Sequence, residues 1–160
     1  MLEEERTTPI GLFNYAHSFW GAAKALDSLQ RKEHVTHSDS PTEFLYWHAI
    51  ELFLKAFLLA DGVPLDKLRK GKFGHNITNL TAEAKKRKLP LTTKDQALLS
   101  FMPSTEDMIE LRYLKVGART RPEFFEIEAT CQSLYQLVAV ELRNRSVRMG
   151  FHDRRLRRQL

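Results

Sequence analysis

A chain of 160 residues with 42% hydrophobic and 28% charged residues fits one globular domain and excludes a disordered or fibrous protein. The net charge of +5 does not make the whole domain basic, because residues 143–160 hold seven arginines and one acid while residues 1–142 are nearly neutral. The chain has a single cysteine, Cys131, which excludes an intramolecular disulfide. Its first residues are acidic, unlike a signal peptide, and no apolar run is long enough to span a bilayer. These features predict a cytoplasmic protein without a membrane anchor.

Apolar spacing, capping residues and helix breakers predict five helical segments and no strand. The first helix begins near Pro9, whose fixed φ suits a first turn, with Thr7 or Thr8 as its cap. Six apolar residues follow at helical spacing: Leu12, Ala16, Phe19, Ala23, Leu26 and Leu29. One face of this helix is therefore expected to pack against the core.

The second helix follows a polar loop at residues 34–40 that ends at Pro41. It runs to about Asp61, where Gly62 and Pro64 stop it. Its apolar residues cover nearly the whole circumference: Phe44, Leu45, Trp47, Ile50, Leu52, Phe53, Leu54, Phe57, Leu58 and Leu59. A helix that is apolar on nearly every side belongs in the centre of a bundle.

The third helix follows a lysine-rich connector at residues 65–73. Asn76 is its predicted cap, because an asparagine oxygen can accept a backbone N–H of the first turn. The helix is expected to end near residues 85–88, a basic run that suits the carbonyl end of a helix, and Pro90 confirms the stop.

The fourth helix is expected to begin at Thr92 or Thr93 and to be broken by Pro103. Residues 104–107 resemble a capping box that restarts it toward Lys115. This segment is therefore one bent helix or two.

The fifth helix starts at Pro122 and is long. Its apolar residues are spaced by three or four: Phe124, Ile127, Cys131, Leu134, Val138 and Leu142. Beyond Asn144 this spacing fades. We therefore predict that residues 1–145 form one all-α domain, an up-and-down bundle of four to five helices, and that residues 146–160 form a basic, flexible tail that could contact phosphates.

Between Phe44 and Ala60 the only strongly polar residues are His48, Glu51 and Lys55, which are spaced by three and four and share one line. One interpretation is that this line is the solvent face, with Glu51 and Lys55 as a weak i,i+4 pair. The other is that it lines a cleft, where a carboxylate, an ammonium and an imidazole meet groups from other helices. The sequence leaves both open.

Three segments together resemble the HEPN domain family: FLYWHAIELFLKAFLL at residues 44–59, Gly74-His75-Asn76, and Leu111-Arg112-Tyr113. The resemblance covers about residues 10–142. It implies a small helical bundle, often dimeric, from a prokaryotic toxin–antitoxin or defence system that acts on RNA or nucleotides. The implied partners are RNA or a nucleotide, a second copy of the chain, and a cognate antitoxin or other partner protein. No metal or cofactor is implied.

Ribonucleases of that family use an arginine followed, after four to six residues, by a histidine. Three pairs here fit that spacing: Arg31 with His37, Arg69 with His75, and Arg145 with His152. With 14 arginines and six histidines, about one or two such pairs arise by chance. Only the last pair lies near the family's usual place, close to the final core helix, although Gly150 separates its members.

The resemblance implies that His75 or His152 acts as general base on a ribose 2′-hydroxyl, while Arg69 or Arg145 stabilises the charged phosphorane. Five further residues are expected to bind the substrate: Glu51, Lys55, Asn76, Arg112 and Tyr113. Two other interpretations remain open. His75 could simply hydrogen-bond the backbone or the polar line, and Arg112 with Tyr113 could anchor a helix interface.

A different class of function is a non-catalytic module that dimerises or docks a partner protein through exposed aromatic residues such as Tyr15, Trp20 or Trp47. A metal site at His34, His37 and Asp39 is not expected, because no fourth ligand follows at a defined spacing. Cys131 lies on the apolar face of its helix, where a thiol behaves as a small hydrophobe.

Overall fold

Helices form all of the regular structure in residues 7–101, 109–113, 120–145 and 147, the part of the chain that the computed structural model describes. Their order is α1 (Pro9–Glu33), α2 (Ser40–Ala60), α3 (Leu65–Arg69), α4 (Ile77–Lys86), α5 (Thr93–Ser100) and α6 (Phe124–Asn144). The prediction of an all-α bundle is confirmed. No helix of the described part is both long and apolar enough to cross a membrane.

Side-chain caps fix the starts of three helices where the sequence predicts them. Thr8 precedes α1 and its hydroxyl accepts a backbone N–H from the first turn, with Pro9 as the first helical residue. Asn76 caps α4 in the same way through its side-chain oxygen. At α5, Thr92 and Asp95 each accept the other's backbone N–H in a reciprocal capping box.

The connector predicted at residues 65–73 contains one short helix, α3, that the sequence does not reveal. The side chain of Leu68 is fully buried and anchors this five-residue helix to the bundle. Five residues are too few to show a helical period, so no pattern could have predicted it. The proposed capping box at residues 104–107 lies outside the described residues, as does the tail at 146–160 except for residue 147.

Helix α2 occupies the centre of the bundle and packs against α1, α3, α4 and α6. Its large side chains are fully buried: Tyr46, Trp47, Ile50, Phe53, Leu54, Phe57 and Leu58. The ring of Phe13, from α1, meets Phe53 edge to face at 5.6 Å. The central position predicted for the second helix is therefore confirmed.

The apolar stripe of α1 differs in register from the prediction. Its buried residues are Phe13, Ala16, Trp20, Ala23 and Asp27. Leu29, which the predicted stripe includes, is exposed. Cys131 of α6 is fully buried, as predicted, and burial raises the pKa of its thiol far above the ordinary value.

An ion-pair cluster at one end of the bundle ties α2 to α4 and α6. The carboxylate of Asp61, just after α2, accepts hydrogen bonds from Arg145 Nη2 at 2.7 Å and from Arg87 Nη1 at 2.7 Å. These hydrogen bonds hold the pKa of Asp61 below its usual value. Arg145 also pairs with Glu141, and its guanidinium lies 5.0 Å from the ring centre of Phe57. These ion pairs hold the C-terminal ends of α2, α4 and α6 together.

Candidate functional site

A buried carboxylate, Glu51 of α2, lies at the centre of a four-residue group that we call the Glu51 cluster. Only 1% of its side chain is exposed. Lys55 Nζ donates to Glu51 Oε1 at 2.6 Å, and His75 Nδ1 lies 3.2 Å from both carboxylate oxygens. His48 completes the cluster, with Nδ1 at 3.6 Å from Glu51 Oε2, just beyond hydrogen-bonding distance.

Two separate parts of the chain supply these groups. His48, Glu51 and Lys55 follow one another along α2 at steps of three and four, which places them on one side of the helix. His75 comes from the turn before α4, at the residue that precedes the cap Asn76. The cap therefore fixes both the start of α4 and the approach of His75 to Glu51.

The solvent-face interpretation of the polar line on α2 is wrong. Glu51 and Lys55 are both buried, and the side chain of His48 is largely covered. His75 is the most accessible member, with 43% of its side chain exposed. The cluster is thus a buried ionic group that reaches solvent mainly through one imidazole.

Opposing effects set the ionisation of Glu51. Burial raises the pKa of its carboxyl, but the imidazoles of His48 and His75 and the ammonium of Lys55 more than offset this effect. The pKa of Glu51 is consequently held well below its usual value, and the group is a carboxylate at neutral pH. Because a carboxylate only accepts hydrogen bonds, His75 must donate from Nδ1. When that ring is neutral, Nε2 is its free proton acceptor.

The ring of His48 is packed between aromatic side chains from two helices. It stacks on Phe44 at 5.6 Å with an interplanar angle of 9°, and meets Phe19 of α1 edge to face at 4.4 Å. Its buried Nδ1 has no hydrogen-bond partner among the described residues. The sequence places His48 in the polar line, but its aromatic neighbours follow only from the packing of α1 on α2.

Arg112 and Tyr113, predicted to bind the substrate, lie apart from the carboxylate. The guanidinium carbon of Arg112 is 5.3 Å from the ring centre of Phe44, the ring on which His48 also stacks. Tyr113 is 71% exposed. The structure therefore joins Arg112 to the Glu51 cluster through packing and not through a hydrogen bond.

A turn in the backbone connects Arg69 to His75. A turn closed by the hydrogen bond from Gly74 N to Lys70 O places these two residues immediately on either side of the bonded pair. Gly71 within the turn has a φ of 56°, a left-handed conformation that favours glycine. Arg69 is exposed, and no hydrogen bond or ion pair joins it to another described residue.

The other predicted catalytic pair is placed only in part. The guanidinium of Arg145 is held by Asp61 and Glu141, which accounts for its position without a substrate. His152 lies outside the described residues, so the distance between the two is not defined.

The described residues contain no group of three or more His, Cys, Asp or Glu side chains that could hold a metal ion. His34, His37 and Asp39 instead border an open cavity of about 450 Å³ together with Arg31 and Arg121. Comparison with known proteins found no matching family model, no matching curated protein and no matching solved structure.

Proposed function

We propose that this chain is a HEPN-like domain that binds RNA or a nucleotide and cleaves RNA without a metal ion, with His75 as its general base. One observation carries the proposal: the buried, ionised carboxylate of Glu51 holds Nδ1 of a histidine that is 43% exposed. A carboxylate in this position fixes the tautomer and orientation of the ring and leaves Nε2 to accept a proton.

The charge beside His75 suits a polyanionic substrate. Four basic side chains, Lys67, Arg69, Lys70 and Lys72, are exposed in residues 66–72, which we call the basic connector, and only Asp66 opposes them. The basic connector leads through Phe73 and Gly74 directly into His75. Lysine and arginine side chains in such a segment contact phosphates without reading sequence.

The reaction requires two proton transfers, one from the attacking 2′-hydroxyl and one to the leaving 5′ oxygen. His75 Nε2 removes the proton of a ribose 2′-hydroxyl, the 2′ oxygen attacks the adjacent phosphorus, and the bond from phosphorus to the 5′ oxygen breaks. The leaving 5′ oxygen takes a proton from water, which gives a 2′,3′-cyclic phosphate and a 5′-hydroxyl. Arg69, on the other side of the turn, is the group that stabilises the charged phosphorane.

His75→Ala should lower the rate of RNA cleavage by about 10²–10⁴-fold, since this is the usual contribution of a general base. The measurement is cleavage of labelled RNA by the purified protein, with and without EDTA, and wild-type activity should persist in EDTA. His37→Ala, which removes an exposed histidine elsewhere, is the matched control and should leave the rate unchanged. Cleavage that survives His75→Ala but is lost in His152→Ala would move the base to the tail and contradict the assignment.

The prokaryotic toxin–antitoxin or defence context follows from the family resemblance and belongs to the same proposal. A cognate antitoxin or other partner protein is the partner it implies. An antitoxin would inhibit this activity by covering the basic connector or the exposed edge of His75.

A second candidate function is a non-catalytic dimerisation module, favoured by exposed apolar side chains elsewhere. Phe101 and the 66%-exposed Phe125 border a groove of about 880 Å³ between α5 and α6, and the occupant we propose is a second copy of the chain. Trp20 and Trp47 cannot form this contact, contrary to expectation, because both are buried. Light scattering should then give a dimer for the wild type and a monomer for Phe125→Ser, in protein that cleaves no RNA.

A further inference from the structure

Aromatic side chains form a continuous row from α1 across α2 to residues 109–113. Tyr15 meets Phe19 edge to face at 5.0 Å, and Phe19 meets His48 at 4.4 Å. On the other side His48 stacks on Phe44, and the guanidinium of Arg112 lies over that ring at 5.3 Å. We call these five residues the aromatic row.

Both ends of the aromatic row are open to solvent. Tyr15 is 58% exposed at one end, and Arg112 is exposed at the other, next to Tyr113. In the middle of the row Phe19 and Phe44 are partly exposed, whereas the side chain of His48 is only 19% exposed. A purely structural cluster would bury its rings, so the exposed aromatic and guanidinium groups remain available to a planar ligand.

The aromatic row and the Glu51 cluster share a residue. His48 belongs to the row through its ring and to the cluster through Nδ1, at 3.6 Å from the Glu51 carboxylate that also holds His75. His48 and Glu51 therefore connect the aromatic row to His75. The basic connector before His75 supplies the phosphate contacts for the ligand.

We propose that the aromatic row is a stacking surface for the nucleobases of single-stranded RNA, an inference that rests on the proposed function. Every base has a π face, so aromatic rings and an arginine plane bind unpaired bases with little sequence preference. A base within a duplex is already stacked and cannot reach such a surface. The aromatic row thus selects unpaired RNA over a duplex.

The test compares two fluorescent ten-nucleotide RNAs with the same 2′-fluoro backbone, which prevents cleavage. One carries uracil at every position and the other is abasic. Wild-type protein should bind the uracil RNA more tightly in an anisotropy titration. Arg112→Ala and Tyr15→Ala should each weaken binding of the uracil RNA about fivefold or more and leave the abasic RNA nearly unchanged.

Two matched variants separate stacking from charge and from general surface effects. Arg112→Lys keeps the charge but lacks the planar group, so it should bind the uracil RNA as weakly as Arg112→Ala does. Val140→Ala shortens an exposed apolar side chain of α6 and should leave both affinities at the wild-type value. All three sites are exposed, and an unchanged melting temperature checks that each variant is folded.

Each remaining outcome overturns a specific statement. Equal affinity of the wild type for the two RNAs, or equal weakening of both by Arg112→Ala, overturns the stacking site while the basic connector and the proposed function stand. If neither RNA binds the wild-type protein, the stacking site and the RNA-binding function are overturned together.

Discussion

Replacement of Glu51 by alanine should destabilise the fold by about 3–5 kcal/mol, because it leaves the ammonium of Lys55 buried without its carboxylate. The imidazoles of His48 and His75 lose the same partner. Such a loss is a large fraction of the roughly 5–15 kcal/mol that separates folded and unfolded states of an ordinary domain. Urea denaturation at pH 7 measures the effect as a change in the free energy of unfolding.

The double variant Glu51→Leu, Lys55→Leu is the matched control for this prediction. It removes both charges and fills the space with apolar groups, and exchanges of this kind are often neutral or stabilising. We therefore expect the double variant to be clearly more stable than Glu51→Ala alone. If the two variants were equally unstable, the loss would come from packing at this position and not from an uncompensated buried charge.

Phe53→Ala should cost about 3–5 kcal/mol, since it removes a fully buried ring from the middle of the central helix. The ring contacts Phe13 of α1 and Tyr135 of α6, at centre distances of 5.6 and 6.2 Å, so its loss opens a cavity shared by three helices. Urea denaturation again provides the measurement.

Phe125→Ala is the control for Phe53→Ala, because it deletes the same side chain at a position that is mostly exposed on α6. Its effect on the free energy of unfolding should stay within about 0.5 kcal/mol. Comparable losses in the two variants would contradict the central position of α2 and the burial on which the Glu51 cluster depends.

Local signals account for what the sequence predicts well. Predicted helix starts depend on residues within one helical turn. The structure selects Thr8 from the two predicted caps of α1, confirms Asn76 as the cap of α4, and starts α5 at Thr93, one of its two predicted starts. The burial of α2 could likewise be predicted from its own sequence, because apolar residues cover nearly its whole surface. Helix α3 is missed because its stability comes from one buried residue, Leu68, and not from a repeating pattern.

Contacts between distant residues are what the sequence could not predict. The spacing of His48, Glu51 and Lys55 reveals a polar line, but which residue lies opposite depends on the turn that brings His75 to Glu51 across 24 positions. For Arg145, a spacing found in the sequence does not account for the contact seen in the structure. Its spacing from His152 suggests catalysis, whereas its side chain is held by Asp61, 84 residues away in the chain.

The ionisation of Glu51 tests the account most directly, through ¹³C NMR of its side-chain carboxyl during an acid titration. Because the folded pKa is lowered, the carboxyl should remain ionised below about pH 4.3, the ordinary value for glutamate, and Glu51 should contribute stability that is lost only as the pH falls further. ¹⁵N spectra of the neutral His75 ring should show the proton on Nδ1. Titration of Glu51 at or above the ordinary value, or a neutral His75 protonated on Nε2, would contradict the account.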